Sequence, residues 1–135
     1  MQASTLVLIS AAILIVLGAA HVLLTYFTSA FHPRQTALIE ALTTGHPVIT
    51  TQTTLWRGLI GFHVSHSMGA IYLGLVYAYL ALEAPALLFK SHFLLGLGAG
   101  ALALYMVLAK AYWFVLPLVG FCVAFACFVA AIFVA

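Results

Sequence analysis

The chain has 135 residues, of which 67% are hydrophobic and only 4% charged. Soluble domains carry about 25% charged residues, so a solvated surface cannot be built from this composition. The formal net charge of +2 comes without the clustered basic face that nucleic acid requires.

The length admits about four crossings of roughly 20 apolar residues each and leaves no soluble domain over. Segments this apolar must satisfy their own backbone hydrogen bonds, which makes helices the expected spanning form. The expected fold is an all-α membrane protein with four transmembrane helices in an antiparallel bundle. A short amphipathic interfacial helix is expected between spans one and two, and the whole forms one domain over residues 1–135.

The first span is predicted over about 6–27. No Lys or Arg precedes its apolar run, which argues for a retained span and against a secretory leader. The connection over 28–54 is the only long polar stretch. Within it, Pro33 and Gly45 punctuate PRQTALIEALTTG and predict a helix over about 33–44. Ala37, Leu38, Ala41 and Leu42 fall on one face while Arg34, Gln35 and Glu40 lie off it, the pattern of a helix lying on the membrane surface. The Thr-rich HPVITTQTT that follows reads as an ordered return loop.

The second span is predicted over about 55–82, with Thr53 or Thr54 as its N-cap. The third is expected over about 85–108, with Pro85 in its first turn. Lys110-Ala111-Tyr112-Trp113 reads as a tight interfacial turn, followed by a fourth span over about 112–134 that Pro117 can kink near its start. Cys122 and Cys127 are five residues apart, point different ways on a helix and form no CxxC; they read as small core residues.

Four spans put both termini on one face and the 28–54 connection on the other. The connection's side carries Arg34, Arg57 and Lys110 against Lys90 alone opposite, so the positive-inside rule places 28–54 in the cytoplasm. Gly61, Ser65 and Gly69 on the second span, and Gly96 and Gly100 on the third, recur every four residues and are expected to permit close helix packing.

Three histidines share a layer. At 1.5 Å per residue, His21 lies ~9 Å from the end of the first span, and His63 and His66 lie ~12 and ~16 Å below the start of the second. His32 and His46 flank the surface helix, and His92 enters the third span from the opposite side. His63 and His66 are i, i+3 and project toward neighbouring faces. Tyr105 can reach the same layer, with Arg57 and Trp56 above it and Glu40 as a cap if the surface helix folds over.

Ionisable groups inside a membrane usually face the bundle interior and mark function. Three readings of His21, His63 and His66 stay open. They can stitch helices together through hydroxyls and free carbonyls. They can line a site for a lipid, a quinone or another amphiphilic small molecule. They can ligate a metal, a haem or a chlorophyll, since imidazole is a common metal ligand. If there is catalysis, His66 is the candidate acid/base, paired with Tyr105. Arg57 can also snorkel to headgroups, Glu40 can be a plain surface charge, and Trp56 an interface anchor.

The stretch TTLWRGLIGFHVSHSMGAIYLGLVYAYL carries Thr53, Trp56, Arg57, Gly61, Phe62, Ser65, His66, Ser67 and Gly69 in a Thr-x-x-Trp-Arg-x-x-x-Gly-Phe-x-x-Ser-His-Ser-x-Gly arrangement. In this it resembles an uncharacterised family of small bacterial membrane proteins with four predicted spans. The likeness extends to His21, to Phe31, Pro33 and Arg34, and to Tyr112-Trp113-Phe114. It implies the four-span fold and a bacterial inner membrane, and it supplies no activity. The position of His63 is often Asn in that family, which favours His66 as the shared group.

The functional expectation is a histidine-lined intramembrane pocket that binds an amphiphilic molecule or a metal- or haem-type cofactor. Membrane lipid and a homo-oligomer or larger complex are the expected partners. The alternative is a non-catalytic accessory subunit of a larger membrane complex, with structural histidines.

Overall fold

The computed structural model describes residues 2–135, which form six helices: α1 (Gln2–Phe27), α2 (Thr36–Thr44), α3 (Leu55–Glu83), α4 (Pro85–Lys90), α5 (His92–Tyr112) and α6 (Val115–Phe133). Four of them, α1, α3, α5 and α6, are long and apolar enough to cross a membrane.

Several boundaries differ from expectation by a few residues, and two of the differences have a clear local reason. The surface helix begins at Thr36 rather than Pro33. A turn closed by the His32 N–H on the Ser29 carbonyl (3.0 Å) delivers the chain to Pro33, and the helix starts only where Gln35 turns its carbonyl to Leu38 and Ile39. The expected third span is two helices. Pro85 does open α4 at its first position, but Ser91 adopts an extended conformation (φ −93°, ψ 100°) and divides the run. The Ser91 N–H closes α4 on the Leu87 carbonyl, and its Oγ accepts the Leu94 N–H at 3.3 Å to cap α5. One serine thus satisfies a C-terminus and an N-terminus together.

The membrane-length helix therefore starts at His92, and it runs on through Lys110 to Tyr112. The turn into α6 is Trp113-Phe114, and Pro117 is the third residue of α6, where its missing N–H would have had no helical partner. At the start of α3, Thr54 Oγ1 accepts the Arg57 N–H at 3.3 Å, as an N-cap does.

The chain forms two compact units, one of residues up to Leu17 with Ala70–Ala135, the other Gly18–Gly69. Helices α1 and α3 contribute to both. The larger unit holds the apolar core, which includes Val7, Leu14, Tyr77, Leu88, Leu102, Phe121, Ala124 and Phe128. Two glycines make its close approaches. A Cβ on Gly74 would stand 2.7 Å from Ile15 Cγ1 and 2.8 Å from the Ala11 carbonyl, and one on Gly98 would collide with Phe128 and Tyr77.

Gly61, Gly96 and Gly100, expected in that role, have nothing of this chain within 4 Å of where a Cβ would be. Residues two apart on a helix point about 200° apart, so once Gly98 faces the core, Gly96 and Gly100 face outward. The space Gly98 leaves is filled by the Tyr77 ring, which meets Phe128 edge-on at 5.1 Å and whose hydroxyl donates to the Leu94 carbonyl.

Candidate functional site

The smaller unit is built differently. Its buried polar side chains are Thr25 and Ser67, and no hydrophobic residue among its described positions is buried. At its centre, α1 presents His21 and α3 presents His63 and His66, all three half-buried. His21 Nε2 and His63 Nδ1 are 2.8 Å apart, a hydrogen bond between helices. The His66 ring lies edge-on to His21 with centroids 6.0 Å apart.

The local sequence explains why the imidazoles meet each other. Each bonded histidine is followed four residues later by a hydroxyl, Thr25 after His21 and Ser67 after His63. Thr25 Oγ1 donates to the His21 carbonyl and Ser67 Oγ to the His63 carbonyl, both at 2.7 Å. Such back-bonding is the usual recourse of Ser and Thr inside a helix. It uses the hydroxyl protons on the helices' own backbones, so Thr25 and Ser67 have none left to donate to a ring nitrogen, and the His21 and His63 rings bond to one another. The repeated His-x-x-x-Ser/Thr spacing is a signal available in the sequence that periodicity alone does not reveal.

A fourth ring completes the cluster. Phe31, from the segment between α1 and α2, stacks on His63 with centroids 4.7 Å apart and planes 30° apart, and lies 4.5 Å from His21. Phe31 is not helical, so no spacing rule marks it as part of a histidine site. Nearby, His32 meets Trp56 edge-on at 4.9 Å. His46 Nδ1–H donates to the Thr53 carbonyl at 2.8 Å and the Leu55 N–H to the Gly45 carbonyl at 3.0 Å, which together tie the base of the return loop. Arg57 and Glu40 are both exposed. Tyr105, in the larger unit, stacks its ring on Phe121 with centroids 4.9 Å apart.

The hydrogen-bonded pair has a definite chemistry. The bond requires that one of the two facing nitrogens carry a proton and the other not. If His21 Nε2 donates, His63 must carry its proton on Nε2 and His21 Nδ1 is an acceptor. If His63 Nδ1 donates, His21 carries a proton on Nδ1 and His63 Nε2 is the acceptor. In either tautomer the two outward nitrogens are one donor and one acceptor. A proton arriving at one can be matched by a proton leaving the other.

The same spacing bears on metal ligation. Two imidazole nitrogens each about 2.0–2.1 Å from one ion stand ~3.3 Å apart in a tetrahedral site and ~4 Å apart on opposite sides of the ion, and 2.8 Å allows neither. Among the described residues, no three His, Cys, Asp or Glu side chains are grouped to hold a metal ion. As placed, the histidines fit a hydrogen-bonded pair rather than a shared metal or a bis-histidine haem. No family model matches the chain, and neither a curated protein nor a solved structure matches it.

Proposed function

We propose that this is an integral protein of a bacterial inner membrane that holds an amphiphilic small molecule at the His21/His63/His66 layer. The four spans form an antiparallel bundle, and α2 lies on the cytoplasmic surface of the membrane. The bundle is supported by contacts within the larger unit, where Ala3 and Thr5 share a cavity lining with Ala81 and Leu82 while Ala11 and Ile15 approach Gly74. Arg57, Trp56 and Glu40 stand on the side from which the ligand enters, and a ligand that is turned over exchanges its proton with His66.

The observation that carries this reading is the 2.8 Å bond between His21 and His63. Within the smaller unit, Thr25 and Ser67 donate their hydroxyl protons to the His21 and His63 carbonyls of their own helices, and the two imidazoles bond to each other. The pair keeps a donor and an acceptor for a third group, in a layer where polar groups are costly unless used.

The test is direct. Protein purified in lipid nanodiscs is extracted and its small-molecule content compared between wild type and His66→Ala, alongside a visible absorption spectrum and elemental analysis. The expected result is an amphiphile present in the wild type and depleted in the variant. An unchanged extract together with an unchanged melting temperature rules the site out, and a coloured or metal-loaded sample turns the reading toward a cofactor.

A second reading, an accessory subunit of a larger complex, is favoured by one feature: Gly61, Gly96 and Gly100 present small outward positions at which another helix can approach closely. Native mass measurement after gentle extraction distinguishes it by a stoichiometric partner.

A further inference from the structure

Phe31 meets two helical histidines with its ring. Around it, the Ala30 N–H bonds to Thr28 Oγ1 at 3.1 Å and the His32 N–H to the Ser29 carbonyl at 3.0 Å, both within the segment itself. The Phe31 phenyl group stacks on His63, with centroids 4.7 Å and planes 30° apart, and lies against His21 at 4.5 Å with the planes tilted by 45°. One six-membered ring thus lies against both members of a hydrogen-bonded pair. A lipid tail, round in cross-section and without a π face, does not reproduce that contact.

We infer that the head group taken by this site is a planar quinoid ring and that it competes for the seat Phe31 fills against the histidine pair. This rests on the amphiphile reading above and narrows it to a class. A quinone has the flat face that phenylalanine has, and adds at its edge the oxygen that phenylalanine lacks. That oxygen is an acceptor when oxidised and a donor when reduced. The pair offers one donor and one acceptor in either tautomer, so both forms find a partner without a change in the protein's charge. Aromatic stacking supplies the face contact, and a seat occupied by an internal side chain weakens apparent affinity by the fraction of time it is filled.

The experiment compares decylubiquinone with 1-decanol, which carries the same ten-carbon tail without the ring. Saturable binding is measured in nanodiscs, with protein-free nanodiscs as the partition blank, for wild type, Phe31→Ala, Phe31→Leu and His66→Ala. Decylubiquinone is expected to bind wild type and to bind Phe31→Ala about three- to tenfold tighter, the range set by losing one or two aromatic contacts that compete with it. Phe31→Leu, which keeps bulk but no flat face, is expected to tighten binding less and serves where the alanine variant fails to fold. Decanol is expected to compete with decylubiquinone in none of them.

If Phe31→Ala and Phe31→Leu bind decylubiquinone no tighter than wild type while His66→Ala loses it, the seat is not that of Phe31 and the inference falls with the site reading intact. If decanol competes as well as decylubiquinone, the ring class is wrong and the amphiphile site stands. If neither probe binds and wild type and His66→Ala carry the same extracted molecules, both fall.

Discussion

The two units of this chain solve opposite problems. In the larger one, side chains such as Leu88, Leu102, Ala124 and Phe128 are sealed almost completely, and Tyr77 and Tyr105 are held by aromatic partners, Tyr77 also by a backbone carbonyl. In the smaller one, the buried side chains are two hydroxyls, and rings from two helices and a loop pile against one another half-exposed. Interiors packed without voids resist change, whereas sites that must admit a ligand come from the less stable parts of a protein. On the proposed reading, the contrast gives stability to one unit and the ligand site to the other.

The largest effect that can break this contrast is at Phe128. It is 1% exposed and packs against Tyr77, so Phe128→Ala is expected to cost about 3–5 kcal/mol in a denaturant-unfolding measurement. Phe31→Ala in the smaller unit should cost only about 1 kcal/mol, the worth of an aromatic contact. Equal losses at the two positions would mean that the smaller unit is a structural core as well.

A second, smaller effect sharpens the role of the histidine pair. His21→Ala, His63→Ala and the double variant form a cycle whose coupling is expected near 0.6 kcal/mol and below about 1.7 kcal/mol, as for other hydrogen bonds between membrane helices. A coupling indistinguishable from zero would remove the bond as a feature of the folded state.

An effect of comparable size and opposite sign is expected at Ser10, the one buried unsatisfied side chain among the described residues. Its Oγ is buried without a hydrogen-bond partner and faces a cavity of about 10 Å³ lined by Leu14, Leu73, Tyr77 and Phe128, among others. Ser10→Ala is expected to raise stability by about 1 kcal/mol, because an unsatisfied buried hydroxyl is a net cost. A loss on the same substitution would show that the hydroxyl is partnered in the membrane.

Several features were legible from local chemistry. Thr54 caps α3, Pro85 opens α4 and Gly45 follows α2, where its N–H bonds the Ala41 carbonyl at 2.9 Å. In the site, the depth argument that put His21 and His63 in one layer agrees with the bond between them. Other features were not legible. Ser91 reads equally well as a residue inside a long apolar run, and it breaks the helix only because its side chain and N–H both find partners there. Gly96, Gly98 and Gly100 are equivalent small residues until a neighbouring ring selects one of them. Phe31 belongs to no periodic pattern at all.

By itself the amino-acid sequence determined that this chain makes four membrane-length helices, because hydrophobic length and backbone satisfaction are properties of each segment alone. It also led to the expectation that His21 and His63 lie close enough to meet, since rise per residue is constant along a helix. Which nitrogen meets which, that the hydroxyls turn back on their own helices, and that a loop phenylalanine covers the pair were decided only by tertiary structure. Those outcomes depend on the rotation of one helix against another and on competition among partners, and neither is written in any single segment.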